Sequence, residues 1–230
     1  MKHIGIVGCS AEGAALCYRT ICAEASAQLG GHAHPEISLH TPSLADYVQC
    51  LERGDPDGIA DLMLASADKL ARAGAEFLIC PDNTIHQAFE RMLPRSPLPW
   101  LHIADVVADA AQARGFRRLG LTGTRWLVES EVYPAKLAAR GMEAVRPDAE
   151  QRQEMGRLIM DELVHGVFRP ESVRYFQSVI AHLKAQGCDA VVLGCTEIPL
   201  IISDSNAPLP TLDSTRLLAR AAVRYALATN

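Results

Sequence analysis

The chain repeats itself, and the repeat constrains the fold more tightly than any composition figure. GAEFLICPDNTI (Gly74–Ile85) recurs as GCDAVVLGCTEI (Gly187–Ile198). Each copy is a glycine turn, a short apolar run of the kind buried on both faces of a parallel sheet, and a polar stretch. Other blocks follow in the same order. IGIVG from Ile4 matches LGLTG from Leu119, LPWL from Leu98 matches LPTL from Leu209, and DVVADAA from Asp105 matches RLLARAA from Arg216. The offset stays between roughly 111 and 115 residues, too long for a solenoid and about right for a duplicated half-domain.

The repeat divides the chain into a first half, residues 1–115, and a second, 116–230. The closing helix, about 214–227, follows the second half in the chain but is free to pack on the first. Within the first half, strands are expected at Ile4–Val7, Ile37–His40, Phe77–Cys80 and Trp100–Ile103. Helices are expected from the loop after Gly8 to Leu29, over Pro56–Ala73, Thr84–Met92 and Ala104–Arg114. The second half places strands at Leu119–Thr122, Ala190–Gly194 and Pro210–Leu212, with helices after Glu129 and over Gln151–Gly166, Pro170–Gln186 and Ser214–Leu227. Such strand–helix alternation makes the fold class α/β, with parallel sheets covered on both faces.

Several function classes are disfavoured. The formal net charge is -5 and no Lys/Arg-rich run is present, which argues against nucleic acid as a partner. No apolar stretch approaches the roughly 18 residues of a membrane span. The opening MKHIGIVG runs directly into a strand pattern, without the regions of an export signal. The seven cysteines include no C-x-x-C pair, so reduced thiols and a cytoplasmic location are expected. The histidines are scattered and His32 and His34 lack acidic companions, so no metal site is expected. Gly8-x-x-x-x-Gly13 lacks the Lys-Ser/Thr of a phosphate loop and the spacing of a dinucleotide fingerprint.

Open α/β sheets bind ligands beyond the carboxyl ends of their strands. Asp82 and Cys195 both fall there, at equivalent places in the repeat. One acid/base residue on each side of a shared cleft suits two-sided proton transfer. A free cysteine is often only a buried apolar residue. Backbone N–H groups and a helix dipole beyond the strand would instead lower the pKa of the Cys195 thiol.

Gly194-Cys-Thr-Glu-Ile and Asn83-Thr-Ile-His86 resemble the two signature motifs of the cofactor-independent aspartate/glutamate racemase family. Ile4-Gly-Ile-Val-Gly, Tyr18-Arg19, Leu29-Gly-Gly31, Leu101-His-Ile-Ala-Asp105 and Gly123-Thr-Arg125 fit it too, so the resemblance spans essentially the whole chain. It implies two flavodoxin-like halves related by pseudo-two-fold symmetry, usually in a homodimer. It further implies a site between the halves that takes an acidic amino acid or similar small carboxylate, with no pyridoxal phosphate and no other cofactor.

One position departs from the family pattern. Its first motif reads Cys-Asn-Thr-x-His, and the aligned residue here is Asp82; Cys80 lies two positions earlier on the strand. A free thiol titrates at roughly 8.5 and a free aspartate at roughly 3.9, a gap of about 6 kcal/mol in basicity. The expected division is a Cys195 thiolate as base and Asp82 as acid. Asn83, Thr84, Thr196 and Glu197 would bind the substrate, with Ser10 and Thr124 joining them from the loops after the first strands of the two halves. Asn83 and the threonines also suit helix caps, a role compatible with binding. His86 and His102 are candidates for orienting site residues, and Arg19, Arg53 and Arg125 for pairing a side-chain carboxylate. A decarboxylase or cis-trans isomerase using Cys195 alone, or a binding protein for small acids, remains an alternative.

Overall fold

The computed structural model describes residues 1–228. Its elements run β1 (Ile4–Val7), α1 (Ala11–Leu29), β2 (Ile37–His40), α2 (Leu44–Arg53), α3 (Pro56–Arg72), β3 (Phe77–Ile79), α4 (Phe89–Met92), β4 (Trp100–Leu101) and α5 (Ile103–Ala113). The chain continues through β5 (Arg118–Thr122), α6 (Arg125–Glu129), α7 (Val132–Ala138), β6 (Glu143–Val145), α8 (Ala149–Asp161) and α9 (Pro170–Ala185), then β7 (Ala190–Leu193), β8 (Thr211–Asp213) and α10 (Ser214–Leu227). The α/β class holds. Two four-stranded parallel sheets form, ordered β2-β1-β3-β4 and β6-β5-β7-β8.

The residues divide into two compact units. Unit 1 is Met1–Val106 together with the chain from Thr215 onward, and unit 2 is Val107–Ser214. In unit 1, α10 joins α1 on one face of the sheet. Leu218, Ala219, Ala222 and Val223 pack with Cys17, Ile21 and Ala25 against Ile4, Ile6, Phe77 and Ile79, and all of these side chains are buried. Full burial contributes about 1.5–3 kcal/mol for each large aliphatic or aromatic side chain. The opposite face carries α2 and α3, through Tyr47, Ile59, Met63, Ala67 and Leu70. In unit 2, α8 and α9 cover Val191 and Leu193 with Met155, Ile159, Phe176, Val179 and Leu183.

The local reading is accurate where the apolar period is long. Helix α3 starts on Pro56 after the Asp55 cap, and α10 spans the expected residues. Three elements were not anticipated, one of them the five-residue α6, too short for helical periodicity to resolve. Helix α2 carries Leu44, Tyr47, Val48 and Leu51 at helical spacing and ends on left-handed Gly54, a signal that was legible. Strand β6 is only three residues long, below what periodicity resolves. The stretch expected to be one helix over Thr84–Met92 is a 3₁₀ segment, Thr84–Ala88, running into the short α4. No helix among the described residues is long and apolar enough to cross a membrane.

Candidate active site

Both sheets have the strand order whose topological switch lies between the first strand and its inner neighbour, β1/β3 in one unit and β5/β7 in the other. Ligands bind such sheets outside the carboxyl ends of those two strands. Every candidate residue follows one of these four strands. Ser10 comes after β1, Asp82, Asn83 and Thr84 after β3, Thr124 after β5, and Cys195, Thr196 and Glu197 after β7. The sheet register preserves the repeat. Ile4 pairs with Phe77 and Leu119 with Ala190, and Asp82 and Cys195 each lie five residues beyond the paired partner.

In unit 1, the Ser10 hydroxyl oxygen caps α1 by accepting from the Gly13 amide at 3.2 Å. Asn83 and Thr84 are buried and Asp82 is half-buried. His86 anchors the Asp82 backbone. Its Nδ1–H donates to the Asp82 carbonyl at 2.7 Å, and its Nε2 accepts from the Ile103 amide at 3.5 Å. The ring is itself held against Phe89 and His102. His86 therefore positions the aspartate from below.

Cys80 is fully buried in the core beneath α2 and α3, and its thiol lies 3.8 Å from the Asp82 carbonyl. Burial, and then the Asp82 charge, push that thiol well above the usual range. Cys80 is therefore held as a protonated thiol inside the core of unit 1. Tyr47 was missed by sequence reasoning. Its phenol is wholly buried near Cys80, Cys9 and Asp82, with Ser66 beside the hydroxyl but no hydrogen bond of good geometry made. Burial raises its pKa first and these neighbours second, so it stays a neutral donor.

In unit 2, Thr124 repeats the role of Ser10, accepting from the Leu127 amide at 3.2 Å. The loops after β5 and β7 are pressed together. Gly194 donates its amide to the Thr122 carbonyl at 2.9 Å, and a Cβ on Gly194 would lie 2.6 Å from that same oxygen. Only glycine fits there, and Cys195 is held tightly on the end of β5 as a result.

The Cys195 Sγ donates to Glu197 Oε2 at 2.9 Å, and Thr196 Oγ1 donates to the same oxygen at 2.7 Å. Glu197 is 2% exposed, and among the described residues its Oε1 has no hydrogen-bond partner. The segment after Cys195, expected to begin a helix, is a single 3₁₀ turn, Ile198–Leu200, with Pro199 in it, and a neighbouring carboxylate faces the sulfur. Glu197 thus accepts hydrogen bonds from both the Cys195 thiol and the Thr196 hydroxyl. Glu197→Gln should lower kcat by about 100-fold. It should leave Tm unchanged or higher, because one oxygen of this buried carboxyl makes no hydrogen bond among the described residues. Parallel rate and melting measurements check this split, and an unchanged kcat would reduce Glu197 to a packing role.

Among the described residues, no group of three His, Cys, Asp or Glu side chains is arranged to hold a metal ion. The family model for Asp/Glu/Hydantoin racemases matches residues 4–222. The chain is 24% identical over 177 residues to the broad specificity amino-acid racemase RacX of Bacillus subtilis, a match covering 76% of this chain and 75% of that protein. In three dimensions it resembles a candidate Asp/Glu racemase from Yersinia pestis, with a TM-score of 0.89 and 35% identity over 99% of this chain and 100% of the other. It likewise resembles an aspartate racemase homologue from Pyrococcus horikoshii, with a TM-score of 0.82 and 28% identity over 99% and 100% of the two chains.

Proposed function

The chain belongs to the Asp/Glu/Hydantoin racemase family of isomerases, and on that premise we propose that it inverts an acidic amino acid without pyridoxal phosphate or any other cofactor. The observation that carries this reading is the equivalence of Asp82 and Cys195, each five residues beyond the partner residue on its sheet. In the proposed mechanism, Cys195 Sγ as thiolate takes the α-proton, and the electron pair left on Cα delocalises into the substrate carboxylate. Asp82 then delivers its carboxyl proton to the other face of Cα. One proton is removed, one is added, and the configuration inverts.

Asn83, Thr84 and Thr196 hold the carboxylate as it gains charge, which is where hydrogen-bond donors are most effective. Ser10 serves the substrate from the loop after β1, and Thr124 from the loop after β5. The enzyme works on a free small molecule in the cytoplasm, as a homodimer. Because the aspartate is about 6 kcal/mol less basic than a thiol before its environment acts, the two directions run unequally.

The low basicity of Asp82 also supports a second reading, in which Cys195 alone serves a decarboxylase or cis-trans isomerase of a small carboxylic acid. Solvent deuterium wash-in with a panel of amino acids and small diacids separates the two. Aspartate or glutamate should gain one α-deuteron with inversion. Exchange or CO₂ loss without inversion would replace the racemase reading with the second one, and binding without exchange would mark a protein that has lost turnover.

A further inference from the structure

Unit 1 holds a row of hydrogen-bonding side chains that the proposed chemistry does not yet use. His40 closes β2, the edge strand of its sheet, and its carbonyl accepts from the Gly8 amide at 2.9 Å. Its ring meets α3. Nε2 lies 2.9 Å from Lys69 Nζ, and Nδ1 lies 3.0 Å from Ser66 Oγ. Lys69 is exposed, His40 half-buried, and Ser66 and Tyr47 wholly buried, so the row steps from solvent into the core. Tyr47 on α2 ends it. Ser66 stands beside the phenol, whose hydroxyl makes no hydrogen bond of good geometry among the described residues. A buried hydroxyl left in that state calls for a role beyond packing.

The donors run in one direction. A lysine ammonium only donates, so His40 Nε2 accepts from Lys69 and the ring carries its proton on Nδ1. Burial, and then the Lys69 charge, lower the His40 pKa, which keeps the ring neutral. Nδ1–H therefore donates to Ser66 Oγ, leaving the serine's own proton to turn toward Tyr47. Tyr47 packs in the same core cluster as Cys80, whose thiol lies 3.8 Å from the Asp82 carbonyl. Asp82 is near enough for its charge to act on the phenol.

We propose that Lys69, His40, Ser66 and Tyr47 form a proton relay that recharges the Asp82 carboxylate from solvent. The need for it rests on the racemase reading, in which each inversion leaves Asp82 without its proton. A bound substrate or product excludes the water that would replace it. In one concerted shift, Lys69 Nζ gives a proton to His40 Nε2 while Nδ1 gives its own to Ser66 Oγ. Ser66 passes its hydroxyl proton to Tyr47 Oη, and Tyr47 passes its own to a carboxylate oxygen of Asp82. Lys69 then regains a proton from water. One proton enters, one arrives, and neither hydroxyl is left charged in the core. The hydroxyls turn back, and the half-buried His40 ring recovers its first tautomer through solvent.

Exchange of the Tyr47 hydroxyl tests the path without turnover. The deuterium isotope shift on the ring carbon bearing that oxygen reads how fast the proton trades with solvent. His40→Gln keeps a donor for Ser66 but passes no proton across its amide, and should slow the exchange about tenfold. Ser66→Ala breaks the next link and should slow it as much. Melting curves establish that the variants fold. Unchanged exchange in both overturns the relay. Kinetics separate a relay from packing. In both variants steady-state inversion should fall about tenfold and recover with imidazole in the buffer, while the first turnover keeps the wild-type rate. A first turnover slowed as much as the steady state overturns the relay too. Slowed exchange in a protein whose wild type inverts no amino acid would confirm the path and overturn the racemase reading instead.

Discussion

Cys195→Ala should lower kcat for inversion of aspartate or glutamate by about 10³-fold or more, in both directions. A positioned proton-transfer group contributes roughly 10²–10⁴-fold, and the thiol is the proposed base at the end of β7. The fold should survive. Cys195 is 8% exposed at the edge of the unit 2 core, and removing one sulfur there costs on the order of 1 kcal/mol. Thr196 still donates to Glu197 Oε2, so the carboxylate keeps one partner. Cys195→Ser should be nearly as inactive, because a hydroxyl does not ionise near neutral pH. Initial rates from each enantiomer, read beside a melting curve, decide the matter. Retention of most activity by Cys195→Ala would remove the thiol from the mechanism.

Asp82→Cys should act in the other direction, raising inversion of aspartate or glutamate at least tenfold. That gain corresponds to about 1.4 kcal/mol off the barrier, a fraction of the roughly 6 kcal/mol of basicity separating the free groups. The largest gain should appear in the direction in which residue 82 acts as the base. One contact survives the exchange, since His86 holds the backbone carbonyl of residue 82. The neutral Tyr47 phenol nearby adds no competing charge. Wild type should therefore show a directional bias that the variant narrows. A rate unchanged or lowered in both directions would mean that Asp82 serves a different substrate, and would favour the decarboxylase or isomerase reading.

What could be read locally was read well. The buried strands β1, β3, β5 and β7 are apolar runs closed by glycine turns, and the internal repeat aligned Asp82 with Cys195 before any coordinates did so. Ser10 and Thr124 were placed by the same symmetry, and both occupy equivalent caps three residues before the amide they accept from. The errors lie where tertiary context overrides a weak local signal. Thr84–Ala88 winds as 3₁₀ rather than α, and β6 forms as a three-residue strand alongside β5.

The sequence by itself determined the α/β class, the duplicated halves and the four strand ends that carry the candidate residues, because hydrophobic period and parallel-sheet topology are consequences of local chain order. Only the tertiary structure decided that Glu197 turns its carboxylate onto the Cys195 thiol, that Tyr47 lies buried near Asp82, and that Gly156 on α8 lies against Arg125 on α6. It likewise decided that α10 packs with β1 and β3, more than a hundred residues earlier in the chain. These are side-chain orientations and long-range contacts. They are set by how packed layers exclude one another's volume, which no short window of residues encodes.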